Sequence, residues 1–218
     1  MIVLTTSGGR RCAATLLAAL AMGIPRAVHG QSEAAAVAKA KADSARYPYT
    51  AADVHFMTAM IGHHAQAIVM SEWAPTHGAS SSVRILAERI INAQQDEIAS
   101  MQQWLRDRIQ PVPNPDTAGM KMMMTMSGME HEMLMPGMLT DAQMKQLDQA
   151  RGPEFDRLFL RFMIQHHRGA VTMVKQLFDT YGAGQDQTIF KVASDVNTDQ
   201  NTEIARMEKM LLTVTFGQ

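Results

Sequence analysis

Cysteine is almost missing: the chain of 218 residues has one, Cys12. It falls in a stretch that reads as a leader, so the processed chain would hold neither a disulfide nor a thiolate metal ligand. An excess of one charge is missing too. Lysine plus arginine number 20 against 21 acids, interspersed, for a net charge of −1. No basic tract or stripe gives nucleic acid an electrostatic footprint. The leader-like stretch has Arg10 and Arg11 ahead of apolar residues from Cys12 to Ile24, then Val28-His29-Gly30. Its length suits a signal h-region and is too short for a stable bilayer span. Residues 1–30 are therefore expected to be a signal peptide, removed on export and leaving no membrane span. The removal takes three arginines and no acid, moving the net charge from −1 to −4. The expected destination is outside the cytoplasm, the periplasm where the source has an outer membrane. Gly-rich phosphate loops, a Ser-His-Asp order, haem-attachment motifs and zinc-type Cys/His spacing are also absent.

Methionine is what the chain has in excess, 20 residues of 218, several-fold above ordinary usage. Histidine is arranged with it in an internal repeat. Asp53-x-x-Phe56-x-x-x-Met60-Ile61-x-His63-His64-x-x-Ala67-x-x-Met70 returns as Asp156-x-x-Phe159-x-x-x-Met163-Ile164-x-His166-His167-x-x-Ala170-x-x-Met173. Gln94-x-x-Glu97-Ile98-x-x-Met101 returns as Gln200-x-x-Glu203-Ile204-x-x-Met207. Helix signals frame both copies. Thr50-x-x-Asp53 and Thr140-x-x-Gln143 read as capping boxes, Pro153 suits a first helical turn, and Pro75, Gly78, Pro111 and Gly182 act as stops. The reading is all-α: a four-helix, ferritin-like bundle over residues 50–212, after an Ala-rich linker or arm at 31–49. Hairpins at 50–109 and 153–212 are joined by a Met-rich linker at 111–139 and a short helix at 140–151.

At about 100° per residue, Met60, His63, His64, Ala67 and Met70 fall within an arc of about 120°. Met163, His166, His167, Ala170 and Met173 repeat the stripe. Gln94, Glu97 and Met101 share a face of the partner helix, as do Gln200, Glu203 and Met207. The plainer reading has methionine filling gaps and histidine satisfied by a neighbouring Glu or Gln. Paired buried histidines in two equivalent places favour a metal instead, because every ring needs hydrogen bonds or an ion. Glu97, Glu203, Gln94 and Gln200 are then expected to orient the rings. The linker adds Met120, Met122, Met123, Met124, Met126, Met129, His131, Met133, Met135 and Met138. Its alternative role is a hydrophobic surface for a partner or for packing over the bundle. Thioethers select Cu(I) or Ag(I) over harder ions and need no deprotonation. His55 and His77 are expected to be solvated, and Trp73 and Trp104 to be packing residues.

The blocks FMTAMIGHHAQAIVM and FDRLFLRFMIQHHRGAVTM, with the connector PGMLTDAQMKQLDQARGPEFDRLFL, resemble the bacterial family called domain of unknown function 305, over roughly residues 50–212. The resemblance implies an exported ferritin-like bundle, and its CopM-type members imply periplasmic copper binding and resistance. By position it implies Met60, His63, His64, Met70, Met163, His166, His167 and Met173 as ligands. The leading expectation is a non-enzymatic protein that sequesters or delivers Cu(I), with copper ions and another copper-handling protein as candidate partners. A ferritin-like redox enzyme is the alternative. Di-iron centres use Glu-x-x-His on two helices, where this chain has Met60 and Met163 in place of the glutamates. A Met-rich adaptor without metal is the third reading.

Overall fold

The computed structural model describes residues 49–115 and 134–217, the backbone through 121–126 and 129–133, and isolated helical positions at Ala35, Ala38, Lys39 and Ala42. The expected signal peptide lies outside the described residues. Among the described residues, five helices have defined bounds: α1 (Ala51–Glu72), α2 (Ser81–Asp107), α3 (Asp141–Gln149), α4 (Pro153–Asp179) and α5 (Gln187–Phe216). Their starts are chemically marked. Thr50 and Asp53 close a capping box on α1, as Thr140 and Gln143 do on α3. Ser80 caps α2, Asp186 caps α5, and Pro153 opens α4. A capping side chain satisfies backbone N–H groups that have no partner within the helix. The last helix runs to Phe216, one turn beyond the residue expected from the sequence.

Helices α1–α2 and α4–α5 pack as hairpins, and the hairpins meet mainly where α1 lies against α4. Two apolar clusters result. One gathers Phe56, Met60, Met101, Trp104, Met173 and Ile189 at one end of the bundle. The other gathers Met70, Ile90, Phe155, Phe159, Met163 and Met207 at the opposite end. Between them lies a polar waist of His63, His64, Gln94, His166, His167 and Gln200, each at most 3 % exposed. The hairpins also clasp one another. Asp53 of α1 accepts from the Gly184 N–H in the α4–α5 turn (2.7 Å), and Asp156 of α4 accepts from the Ser80 N–H after the α1–α2 turn (3.1 Å). These are the repeated aspartates of the sequence. Gly184 needs its glycine, with φ at 70°, a conformation costly for residues with a Cβ.

The crossover departs from the loop expected of it. Residues Lys121–Met126 (β1) and Met129–Leu134 (β2) pair as a two-stranded antiparallel hairpin. Beyond it, residues 135–139 pack onto the bundle rather than running free. Met135, Met138 and Leu139 are buried. Gln66 of α1 grips Leu139 twice, donating to its carbonyl (3.1 Å) and accepting from its N–H (2.8 Å). On α4, Gly169 admits the strap to backbone contact. A Cβ there would stand 2.0 Å from the Pro136 carbonyl oxygen. This strap explains why residues 60–67 are buried without a break. The bundle covers one face of α1 and the strap covers the other.

Candidate metal centre

The helical stripe brings His63 and His166 together where α1 meets α4. Their ring centroids are 3.9 Å apart, with 41° between planes. His64 and His167 flank them, with centroids 6.5 Å from His63 and 6.2 Å from His166 respectively. Every ring uses Nε2. His63 Nε2–H donates to the Pro136 carbonyl (3.0 Å) and His166 Nε2–H to the His63 carbonyl (3.0 Å). His64 donates to Glu97 (2.6 Å) and His167 to Glu203 (2.7 Å). Carbonyl oxygens only accept, so His63 and His166 carry the proton on Nε2. The Nδ1 atoms of all four rings are buried and have no hydrogen-bond partner. Neutral Nδ1 is a lone-pair donor, which is what a metal requires.

Electrostatics favour that form at His63, His166 and His167. Burial lowers the His63 pKa from 6.5 to about 3, with His64 nearby adding to the effect. Burial, then His63, keeps His166 well below the ordinary imidazole value. For His167 burial also lowers the pKa, opposed by the hydrogen bond to Glu203. Burial thus favours the uncharged imidazole at these three rings.

Thioethers surround this waist. Met60, Met70, Met101, Met163 and Met207 are wholly buried, and Met173 is nearly so. Met60, Met101 and Met173 belong to the cluster on one side, Met70, Met163 and Met207 to that on the other. Among the described residues, no group of three or more His, Cys, Asp or Glu side chains is arranged to hold one ion. Imidazole nitrogen together with thioether sulfur is a donor mixture that suits soft cations rather than zinc or iron.

The linker residues divide. Met120 lies outside the described residues. Met123 is in β1, opposite Glu132. The hairpin register pairs Met122 with Met133, Met124 with His131 and Met126 with Met129. Met135 and Met138 instead join the core, a correction to their reading as linker residues, caused by the strap's docking on α1 and α4.

His77 also differs from expectation. It is 5 % exposed, with Nε2 donating to the Asp148 carbonyl (2.9 Å). Its ring pins α3 to the first turn and is structural. His55 is exposed. Trp104 packs in the core and donates to Asp186 (3.1 Å), while Trp73 is half-buried. Sequence reasoning missed the acceptors Pro136 and His63, because they act through backbone carbonyls. It also missed Gln66 and Gly169. Gly169 carried a signal, since a glycine inside a strong helix often marks close packing.

A model of the family described as domain of unknown function (DUF305) matches residues 53–211. The chain belongs to the DUF305 family. A DUF305 protein from Streptomyces coelicolor, described as a candidate secreted protein, is 31 % identical, with a TM-score of 0.61 over 75 % of this chain and 92 % of that one. A DUF305 fragment from Deinococcus radiodurans is 29 % identical, with a TM-score of 0.60 over 75 % of this chain and 97 % of that one. CopM in its Cu(II)-bound form is 29 % identical, with a TM-score of 0.56 over 74 % of this chain and 96 % of that one. CopM has also been solved with Cu(I) and with silver. No curated protein matches the chain. Within the DUF305 fold, no helix of the described residues is long and apolar enough to cross a membrane.

Proposed function

We propose that this DUF305 protein is an exported copper-binding protein that holds Cu(I) through methionine and histidine, sequestering the ion or passing it to another copper-handling protein. One observation carries the reading: four buried imidazoles, each engaged through Nε2, leave four unpartnered Nδ1 atoms in a methionine-rich interior. An unpaired buried acceptor costs about 1–3 kcal/mol, and a soft ion would relieve that cost. His63, His64, His166 and His167 are the proposed nitrogen ligands, with Met60, Met70, Met101, Met163, Met173 and Met207 supplying sulfur. Glu97 and Glu203 orient the outer rings. Met122, Met124, Met126, Met129, His131 and Met133 are proposed as further soft ligands on the crossover. The copper- and silver-bound CopM structures support the choice of metal. Silver is the expected substitute because it shares the preference for thioethers.

Metal analysis of protein from copper-fed cells tests the reading first. Copper supports it, iron would favour a redox enzyme, and no metal an adaptor. Competition against calibrated Cu(I) and Cu(II) chelators should then give tighter Cu(I) binding. If His63 and His166 share one ion, His63→Ala and His166→Ala should each remove the waist copper. The double variant should be little worse than either single one. Additive losses would mean two independent sites.

A further inference from the structure

His63, His64, His166 and His167 have no exposed surface, so an ion reaches their Nδ1 atoms only where part of the wall moves. The walls differ in what shuts them. On the α2–α5 side, Glu97 and Glu203 hold His64 and His167 through short bonds of 2.6 and 2.7 Å. Hydrogen bonds to carboxylates are about twice as strong as neutral ones. Arg89 lines the groove outside them, a positive charge in the path of a cation. On the α1–α4 side the wall is the strap at 135–139, which is neither helix nor strand. Side chains hold it. His63 donates to the Pro136 carbonyl, Gln66 bonds both the N–H and the carbonyl of Leu139, and Gln165 donates to the Gly137 carbonyl (3.3 Å). Against α4 the contact is backbone on backbone, since a Cβ on Gly137 would stand 2.6 Å from the Gly169 Cα. Leu134 and Thr140, at the two ends of the strap, are exposed. Residues 135–139 can therefore swing out without disturbing a bundle helix.

We propose, building on the metal reading, that the strap is the door of the waist: residues 135–139 lift from α1 and α4 with Gln66 as their latch, and a soft cation enters and leaves beneath them. Short segments held by few bonds open locally at a lower cost than the whole fold. Lifting exposes only the apolar anchors Met135, Met138 and Leu139, whereas parting the helices would break both apolar clusters. It also removes the acceptor of His63 Nε2. That ring is then free to turn toward the entrance, which makes His63 the first imidazole an incoming ion meets.

Two measurements on the full chain test the route. In metal-free protein, hydrogen exchange followed by NMR should show the Leu139 amide opening about tenfold or more as often as the amides of residues 63–67 in α1. Silver(I) mixed in stopped flow should quench Trp104, which packs with Met60 and Met101. The rate should level off as silver is raised, because opening precedes binding. Gln66→Ala loses both bonds to Leu139 and should raise that ceiling about tenfold. Gly169→Ala should raise it too, its Cβ standing 2.0 Å from the Pro136 oxygen. Asp156→Ala, about 20 Å from Gly169 along α4, should weaken the fold and leave the ceiling unchanged. Circular dichroism checks that each variant is folded. Equal ceilings in the parent and both strap variants, with Leu139 exchange faster in the variants, would overturn the door and move entry to the α2–α5 wall. A Leu139 amide that exchanges only when α1 does would overturn it as well. Absence of silver binding, by contrast, would remove the metal reading itself and the route with it.

Discussion

His63 and His166 differ from free imidazole in their refusal of a proton, and that has a sign. Between about pH 3 and pH 6.5 an unfolded His63 binds a proton that the folded ring does not. Stability therefore rises with pH across that window, is complete above it, and falls as acid is added from 6.5 downward. Nitrogen-15 shifts of the rings should report unprotonated Nδ1 in His63 and His166 at pH 5. Thermal unfolding should meanwhile move to lower temperature between pH 7 and pH 4.5. Protonated rings in the folded protein at pH 5 would contradict the burial argument. At this scale the sequence is informative about identity and poor about partners. The repeat singles out the histidines, but the oxygen that accepts from His63 is a backbone carbonyl 73 residues away, where side-chain patterns carry no trace.

Elements show where pattern reading succeeds and where it stops. Capping residues mark the helix starts at Thr50, Thr140 and Pro153 because capping is local chemistry. The continuous burial of residues 60–67 is not local. It needs the strap at 135–139, whose docking depends on Gln66 and Gly169. The crossover accordingly has two parts with different roles. Lys121 pairs with Leu134, so excising residues 122–133 leaves ends about one strand spacing, ~5 Å, apart. That deletion, closed by a glycine, should lower the copper count while leaving helicity and the unfolding temperature near those of the parent. Extending the cut through Met138 removes two core methionines and the acceptor of His63. It should lower the unfolding temperature sharply, since deleting even one buried methionine side chain costs about 2–5 kcal/mol. Equal stability of the two deletions would mean that the strap does not support the bundle.

For the molecule as a whole, the reciprocal clasp ties each hairpin to the other's turn. Helices α1 and α4 run antiparallel, so Asp53 and Asp156 act at opposite ends of the bundle. Asp53→Ala and Asp156→Ala should each cost about 1–3 kcal/mol, the penalty for leaving a buried donor unpaired. Chemical denaturation should find the two losses additive within about 0.5 kcal/mol, as for distant independent sites. A large coupling energy would mean that the ends communicate through the waist. The strap, by contrast, breaks the likeness of the halves. Gln66 and Gly169 occupy the same position of the repeat, and both meet the one strap, as a gripping amide and as a bare backbone. A single connection cannot obey a twofold axis that it crosses. The two copies have consequently become unlike at that position, and the inequality passes inward. His63 owes its tautomer to the strap, whereas His166 owes its own to helix α1. The halves of the waist are thus unequal partners, and any event that lifts the strap takes the hydrogen-bond acceptor from His63 while leaving that of His166 in place.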